Sequence, residues 1–174
     1  MTIIYDLIYL LAVSLGWPYL LYRRLTRGPS HTSLRERLGG VPSRPVAGSC
    51  IWIHGVSLGE INAARTIVAE IKARAPQTVV VISSTTRTGL DRARTLYADH
   101  IVFRFPLDFS FAIRNVLKRI RPSAIILMEL EVWPNLIEVA VARGIPVMIA
   151  NGRLTESKSM KRFGLPVVRG PARR

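Results

Sequence analysis

The sequence predicts an α/β fold: a Rossmann-like parallel sheet with helices on both faces, preceded by an apolar N-terminal helix. Three observations lead there. Five short, near-continuous apolar runs recur between residues 50 and 150, and strands that are apolar on both faces belong to parallel sheets covered on both sides. Amphipathic stretches separate them. A chain of 174 residues with a 49% hydrophobic share and 21% charged residues can bury the core of one ordinary domain, and cannot be mainly disordered.

Taken in order, residues 1–25 form the apolar segment. Ile3 to Leu25 is long enough to cross a bilayer, although Asp6, Ser14, Gly16 and Pro18 interrupt it. Arg23, Arg24 and Arg27 follow the apolar run and nothing basic precedes it, so it reads as an uncleaved anchor rather than a signal peptide. The positive-inside rule then keeps the domain in the cytoplasm. The competing reading is a buried or monotopic helix, because Asp6 and Pro18 both weaken a spanning one.

Residues 26–49 are rich in Gly, Pro, Ser and Arg and are predicted to be a basic linker, with one helical turn around Leu34 to Leu38. A Rossmann-like domain over 50–163 follows. Its predicted strands are Cys50–His54, Thr78–Ser83, Ile101–Phe105, Ser123–Met128 and Ile145–Ala150. Its predicted helices are Gly59–Arg74, Thr88–Tyr97, Phe109–Ile120 and one that Pro134 opens and Gly144 closes. Residues 164–174 read as an irregular tail, since Gly164, Pro166, Gly170 and Pro171 break any helical pattern.

Charge narrows the partners. Of the net +14, most lies beside the apolar N-terminus, where residues 23–44 carry six arginines against Glu36, and in the tail, where seven basic residues face Glu156. Placed so, it predicts a membrane surface and no nucleic acid. No basic and aromatic motif of a nucleic-acid module occurs. The single Cys50 excludes an internal disulfide and a thiolate zinc cage, and His31, His54 and His100 are too scattered for a metal site; no cofactor is expected.

In a parallel sheet the loops after the strands line the ligand crevice. The first is His54-Gly-Val-Ser-Leu-Gly-Glu60, neither a dinucleotide fingerprint nor a Walker loop. Glu60 there can serve as a base for an attacking hydroxyl. Ser57 and Glu60 equally match a capping box, which would tie both to the helix start. Glu129 and Glu131 leave the fourth strand two residues apart and would share a side if strand geometry persists; they act as a catalytic pair or pair with Arg87 or Arg153. Thr85-Thr-Arg-Thr-Gly89 offers Thr86 and Arg87 to an anionic or sugar ligand, or caps the next helix. His54 reads as a hydrogen-bonded anchor and Cys50 as core.

HGVSLGE, TTRTG, PLD, MELEVWPNLI and IPVMIANGRL, in this order and on these elements, resemble the Kdo transferases of lipopolysaccharide assembly, over residues 1 to about 163. The resemblance implies the N-terminal half of a GT-B glycosyltransferase. Such an enzyme moves 3-deoxy-D-manno-octulosonic acid (Kdo) from CMP-Kdo to a lipid A precursor at the cytoplasmic face of the inner membrane. It implies that Glu60 is the proton acceptor and that Glu129 stabilises the transition state. Ser57, Gly59, Thr86, Arg87 and Glu131 are then acceptor-binding, and no metal is involved. In the family the nucleotide-binding half lies C-terminal to this domain, so this chain is expected to be truncated, to lack the CMP-Kdo pocket and to be catalytically silent alone. The alternative is a non-enzymatic, basic, membrane-associated α/β protein whose crevice motifs are only caps and turns.

Overall fold

The computed structural model describes residues 2–27, 34–44, 48–129 and 132–150. Expectations for 151–174, among them the tail and Arg153, and for Glu131 lie outside the described residues. The chain begins with α1 (Thr2–Arg27) and the short α2 (Leu34–Arg37). Strands β1 (Cys50–His54), β2 (Val79–Ser84), β3 (Ile101–Arg104), β4 (Ala124–Leu127) and β5 (Val147–Ile149) then alternate with α3 (Leu58–Arg74), α4 (Arg87–Leu96), α5 (Ser110–Ile120) and α6 (Pro134–Val141).

All strand pairs are parallel, in the order β3-β2-β1-β4-β5. The chain winds outward from β1 through β2 to β3, then crosses back to β4 on β1's other side. His54 therefore registers with both Ser83 and Leu127. The gap between the loops after β1 and β4 is the topological switch point, where doubly wound sheets bind ligands.

Strand alternation distributes the apolar side chains to two cores. Trp52, Val81, Phe103, Ile125 and Leu127 pack against α5 and α6 through Ile113, Val116, Leu117, Leu136 and Val139. On the opposite face, Ile53, Val80, Ile82 and Ile126 meet Ile61, Ala64 and Val68 of α3 and Ala93 of α4. Cys50 is fully buried, as a core residue should be. Both faces are covered, so the strands need no polar alternation.

The differences from the predicted boundaries are local. β4 ends at Leu127 rather than Met128, and β5 is confined to Val147–Ile149. α1 runs two residues further than expected and passes through Pro18 unbroken. Residues 37–44 form a strap along α5: Leu107 N donates to Arg37 O and Arg44 N to Arg119 O, while the Arg44 guanidinium holds the carbonyls of Ile120 and Arg121 at the helix C-terminus. Gly39 sits where the strap crosses α5; a Cβ there would lie 2.3 Å from Ala112 O.

Phe105 is the residue on which the crevice end of the core turns. It is fully buried, stacks on His54 at 4.1 Å and touches Trp52 and Trp133. Phe105→Ala is expected to cost about 3–5 kcal/mol in urea unfolding.

Candidate functional site

The carboxyl edge of the sheet gathers the N-termini of α3, α4, α5 and α6, and each has free N–H groups to satisfy. At α3 both halves of the capping box form. Ser57 Oγ accepts from Glu60 N at 3.3 Å, and Glu60 Oε1 accepts from Ser57 N at 3.1 Å and from Ser57 Oγ at 2.6 Å. Glu60 Oε2 accepts from Val56 N at 2.7 Å.

Glu60 is thus buried, 7% exposed, and rigidly oriented by three donors. A carboxylate offers two lone pairs per oxygen, so among the described residues Oε1 is filled and Oε2 keeps one free. The cap and the base readings of Glu60 are compatible in this geometry. Ser57 has its hydroxyl committed to Glu60 on both sides. Gly59 is exposed and lies in the first turn, where a Cβ would meet only Ser57 Oγ at 3.8 Å. Among the described residues Leu58 N and Gly59 N have no partner, leaving two helix-start donors open to an anionic group.

The loop is braced from β2 and α4. Val56 O accepts from Ser84 Oγ (3.0 Å), Thr86 Oγ1 (2.6 Å) and Thr86 N (3.3 Å). Thr86 also caps α4 by accepting from Gly89 N at 3.1 Å. The approach is close: a Cβ on Gly89 would lie 2.3 Å from Ser84 Oγ and 3.0 Å from Val56 O. Thr86 therefore holds the Glu60 loop and has no hydroxyl hydrogen to spare. Arg87 is exposed and pairs with Asp91 at 3.7 Å, so the expected alternative of an ion pair to Glu129 does not form.

Glu129 sits beyond the end of β4, next to β1's loop across the switch point, because Met128 N donates to His54 O at 2.9 Å. It is exposed, and its carboxylate has no partner among the described residues. Since β4 stops at Leu127, strand alternation does not extend to Glu129, and Glu131 lies outside the described residues.

Between these loops the floor is aromatic. His54 is 2% exposed, its Nδ1 lies 2.9 Å from Ser83 Oγ, and Trp52 Nε1 donates to the same Oγ at 2.8 Å. It is the anchor the sequence suggested. Burial pushes its imidazolium down to about 3, so the ring is neutral.

Two residues that sequence reasoning left without a role complete the edge. Asp108 Oδ2 and Oδ1 accept from Asn135 N (3.0 Å) and Leu136 N (2.9 Å), capping α6, whose own N-cap residue Trp133 offers no acceptor. Asp6, from α1, accepts from Ser110 N (2.8 Å), Ser110 Oγ (2.6 Å) and Asn135 Nδ2 (3.0 Å), capping α5. Tyr9 Oη donates to Asp108 Oδ2 at 3.3 Å. A cavity of about 140 Å³ under α1 is lined by Tyr9, Val13, Asp108 and Trp133. Burial pushes the Asp108 carboxyl up to about 7, against the lowering by its N–H and Tyr9 donors, and Asp6 adds to the rise.

Fold and crevice together define a Rossmann-like α/β domain with a carboxylate on each side of its topological switch point. The family described as 3-deoxy-D-manno-octulosonic-acid transferase (kdotransferase) matches residues 32–170, and the chain belongs to that glycosyltransferase family. It is 34% identical to the 3-deoxy-D-manno-octulosonic acid transferase of Chlamydophila psittaci, covering 93% of this chain and 38% of that protein. It is 36% identical to the transferase of the same name in Haemophilus influenzae, over 66% of this chain and 27% of that one. To the probable mitochondrial 3-deoxy-D-manno-octulosonic acid transferase of Arabidopsis thaliana it is 37% identical, over 84% of this chain and 33% of that protein. The chain thus spans well under half the length of these relatives. Among solved structures, a UDP-GlcNAc 2-epimerase from Neisseria meningitidis aligns with a TM-score of 0.47 and 14% identity, over 71% of this chain and 38% of that one.

Asp108 and His54 make opposite contributions to stability. From about pH 4 to 7 folded Asp108 keeps a proton that the unfolded chain has released, so its contribution falls as pH rises. From about pH 3 to 6.5 the unfolded chain protonates His54 while the folded ring stays neutral, so that contribution rises with pH. Asp108→Asn is therefore expected to give a Tm that climbs between pH 4 and 6.5, and His54→Gln one that falls between pH 4 and 7, measured by thermal denaturation at constant ionic strength.

Proposed function

We propose that this chain is the acceptor-side half of an enzyme that transfers Kdo from CMP-Kdo to a lipid A precursor at the cytoplasmic face of the inner membrane. Glu60 Oε2 takes the proton of the acceptor hydroxyl as its oxygen attacks the anomeric carbon and the CMP oxygen leaves. The transition state there has oxocarbenium character, and Glu129 supplies the negative charge that it needs. The observation that carries this reading is the arrangement at the switch point: a buried, oriented Glu60 that keeps one open lone pair, and a Glu129 after the adjacent strand, neither of them engaged further among the described residues. Leu58 N and Gly59 N would meet an acceptor phosphate or the Kdo carboxylate. Thr86 and Ser57 serve this reading by holding the loop, and Arg87 by adding exposed positive charge at its rim.

The chain spans 38% of the Chlamydophila psittaci relative, and in this reading it contributes the acceptor side of the enzyme. The apolar α1, whose Thr2–Tyr19 stretch is long and apolar enough to cross a membrane, supports membrane association of the same half.

Glu60→Gln in the full-length enzyme tests the base directly. Glutamine can still return the Ser57 half of the capping box through its amide oxygen, but its NH2 faces Val56 N, so the proton acceptor is lost together with one loop hydrogen bond. The expected result is a fall in kcat of about 10²–10⁴ in protein that circular dichroism shows to be folded, with a stability loss of about 1–3 kcal/mol from the lost Val56 bond. The competing reading, a cap with no catalytic duty, predicts unchanged turnover in a Kdo-transfer assay, and that outcome would remove Glu60 from the mechanism.

A further inference from the structure

We propose that α1 does not cross the bilayer but lies in the plane of one leaflet, locked to the crevice rim by Asp6, so that its apolar face and the basic face of α5 form one docking surface for an anionic phospholipid membrane. This rests on the membrane association proposed above and specifies its mode.

A helix of 26 residues is about 39 Å long, enough to cross a hydrocarbon core of about 30 Å. Its contacts forbid that. Tyr5, Asp6, Tyr9 and Val13 recur at helical spacing on the side turned toward the domain: Tyr5 is 4% exposed, and Val13 lines the cavity with Arg37 and Leu107. Asp6 holds Ser110 of α5 and Asn135 of α6 at once, and Tyr9 reaches Asp108. A spanning α1 would pull these helix N-termini and two carboxylates into hydrocarbon, where unsatisfied or charged polar groups are costly. Undocking it would strip Ser110 N of its acceptor and Asn135 Nδ2 of one of its two.

The remaining faces of α1 are unsuited to water. Ile3, Leu7, Leu11 and Leu15 are 59–74% exposed, with Trp17, Tyr19 and Tyr22 beyond them. A helix lying at the headgroup boundary satisfies both sides, burying the apolar face while the docked polar face stays on the protein.

Aromatic contacts carry the surface onto α5. The Tyr9 ring meets Phe109 at 6.0 Å and Phe109 stacks on Phe111 at 5.7 Å. Phe111 opens an exposed stripe that continues through Arg114, Lys118 and Arg121. Lys118 and Arg121 share a groove of about 640 Å³ with Arg35 and Arg119, and no acid lines it among the described residues. Positive charge beside an apolar helix matches an anionic headgroup layer.

Two measurements test this. Cys50 is fully buried, so a Thr2→Cys variant of the whole chain, inserted into inner-membrane vesicles, is the accessible thiol for a membrane-impermeant maleimide; Ser43→Cys reports the domain's side. Both are expected to label from the same face, and Asp6→Leu, which releases the lock, is expected to move Thr2→Cys to the opposite face. Labelling of Thr2→Cys from the opposite face or from neither would overturn the in-plane helix, and unchanged labelling in Asp6→Leu would overturn the lock. For the α5 stripe, Arg114→Ala and Lys118→Ala, verified as folded by circular dichroism, are each expected to weaken binding to phosphatidylglycerol vesicles about fivefold; equal binding would overturn the stripe's role. Failure of the parent chain to bind any vesicle would instead refute the membrane association beneath the proposal.

Discussion

Four helix N-termini meet at the carboxyl edge of this sheet, and the pairing of their free N–H groups with side-chain acceptors is the constraint on which the crevice depends. α3 and α4 carry their own acceptors in Ser57 and Thr86. α5 and α6 begin after Phe109 and Trp133, which have none, and borrow the carboxylates of Asp6 and Asp108. The large aromatics can then occupy the floor of the crevice, where a capping serine or aspartate would otherwise stand.

The arrangement gives the crevice its rigidity. Glu60 is fixed by donors on its own loop; that loop is fixed through the Val56 carbonyl to β2 and α4, and the close approach requires glycine at position 89. Side chains held by such secondary hydrogen bonds keep their aim without reorganisation. Glu129 contrasts with this, being exposed and free of partners among the described residues.

Asp6 joins the crevice to α1. Read as an interruption in an apolar segment, it weakens a spanning helix; in the fold it is the acceptor that two helices share. The same residue therefore explains both why α1 is not uniformly apolar and how α1 is fixed relative to the crevice mouth.

Much of this was legible in the chain alone. Near-continuous apolar strands at a regular spacing determined a parallel sheet covered on both faces, and the Ser57–Glu60 spacing determined the capping box, because strand periodicity and helix caps involve residues a few positions apart. The roles of Asp6, Tyr9 and Asp108 could not be read that way. Their partners lie 27 to 129 residues away, and only the packing of α1 and the β3–α5 loop against α5 and α6 brings them within hydrogen-bonding distance. Local spacing settled the elements and two of their caps; the remaining caps, and the side of the domain on which the apolar helix lies, were decided by buried N–H groups that found acceptors only once the chain had folded.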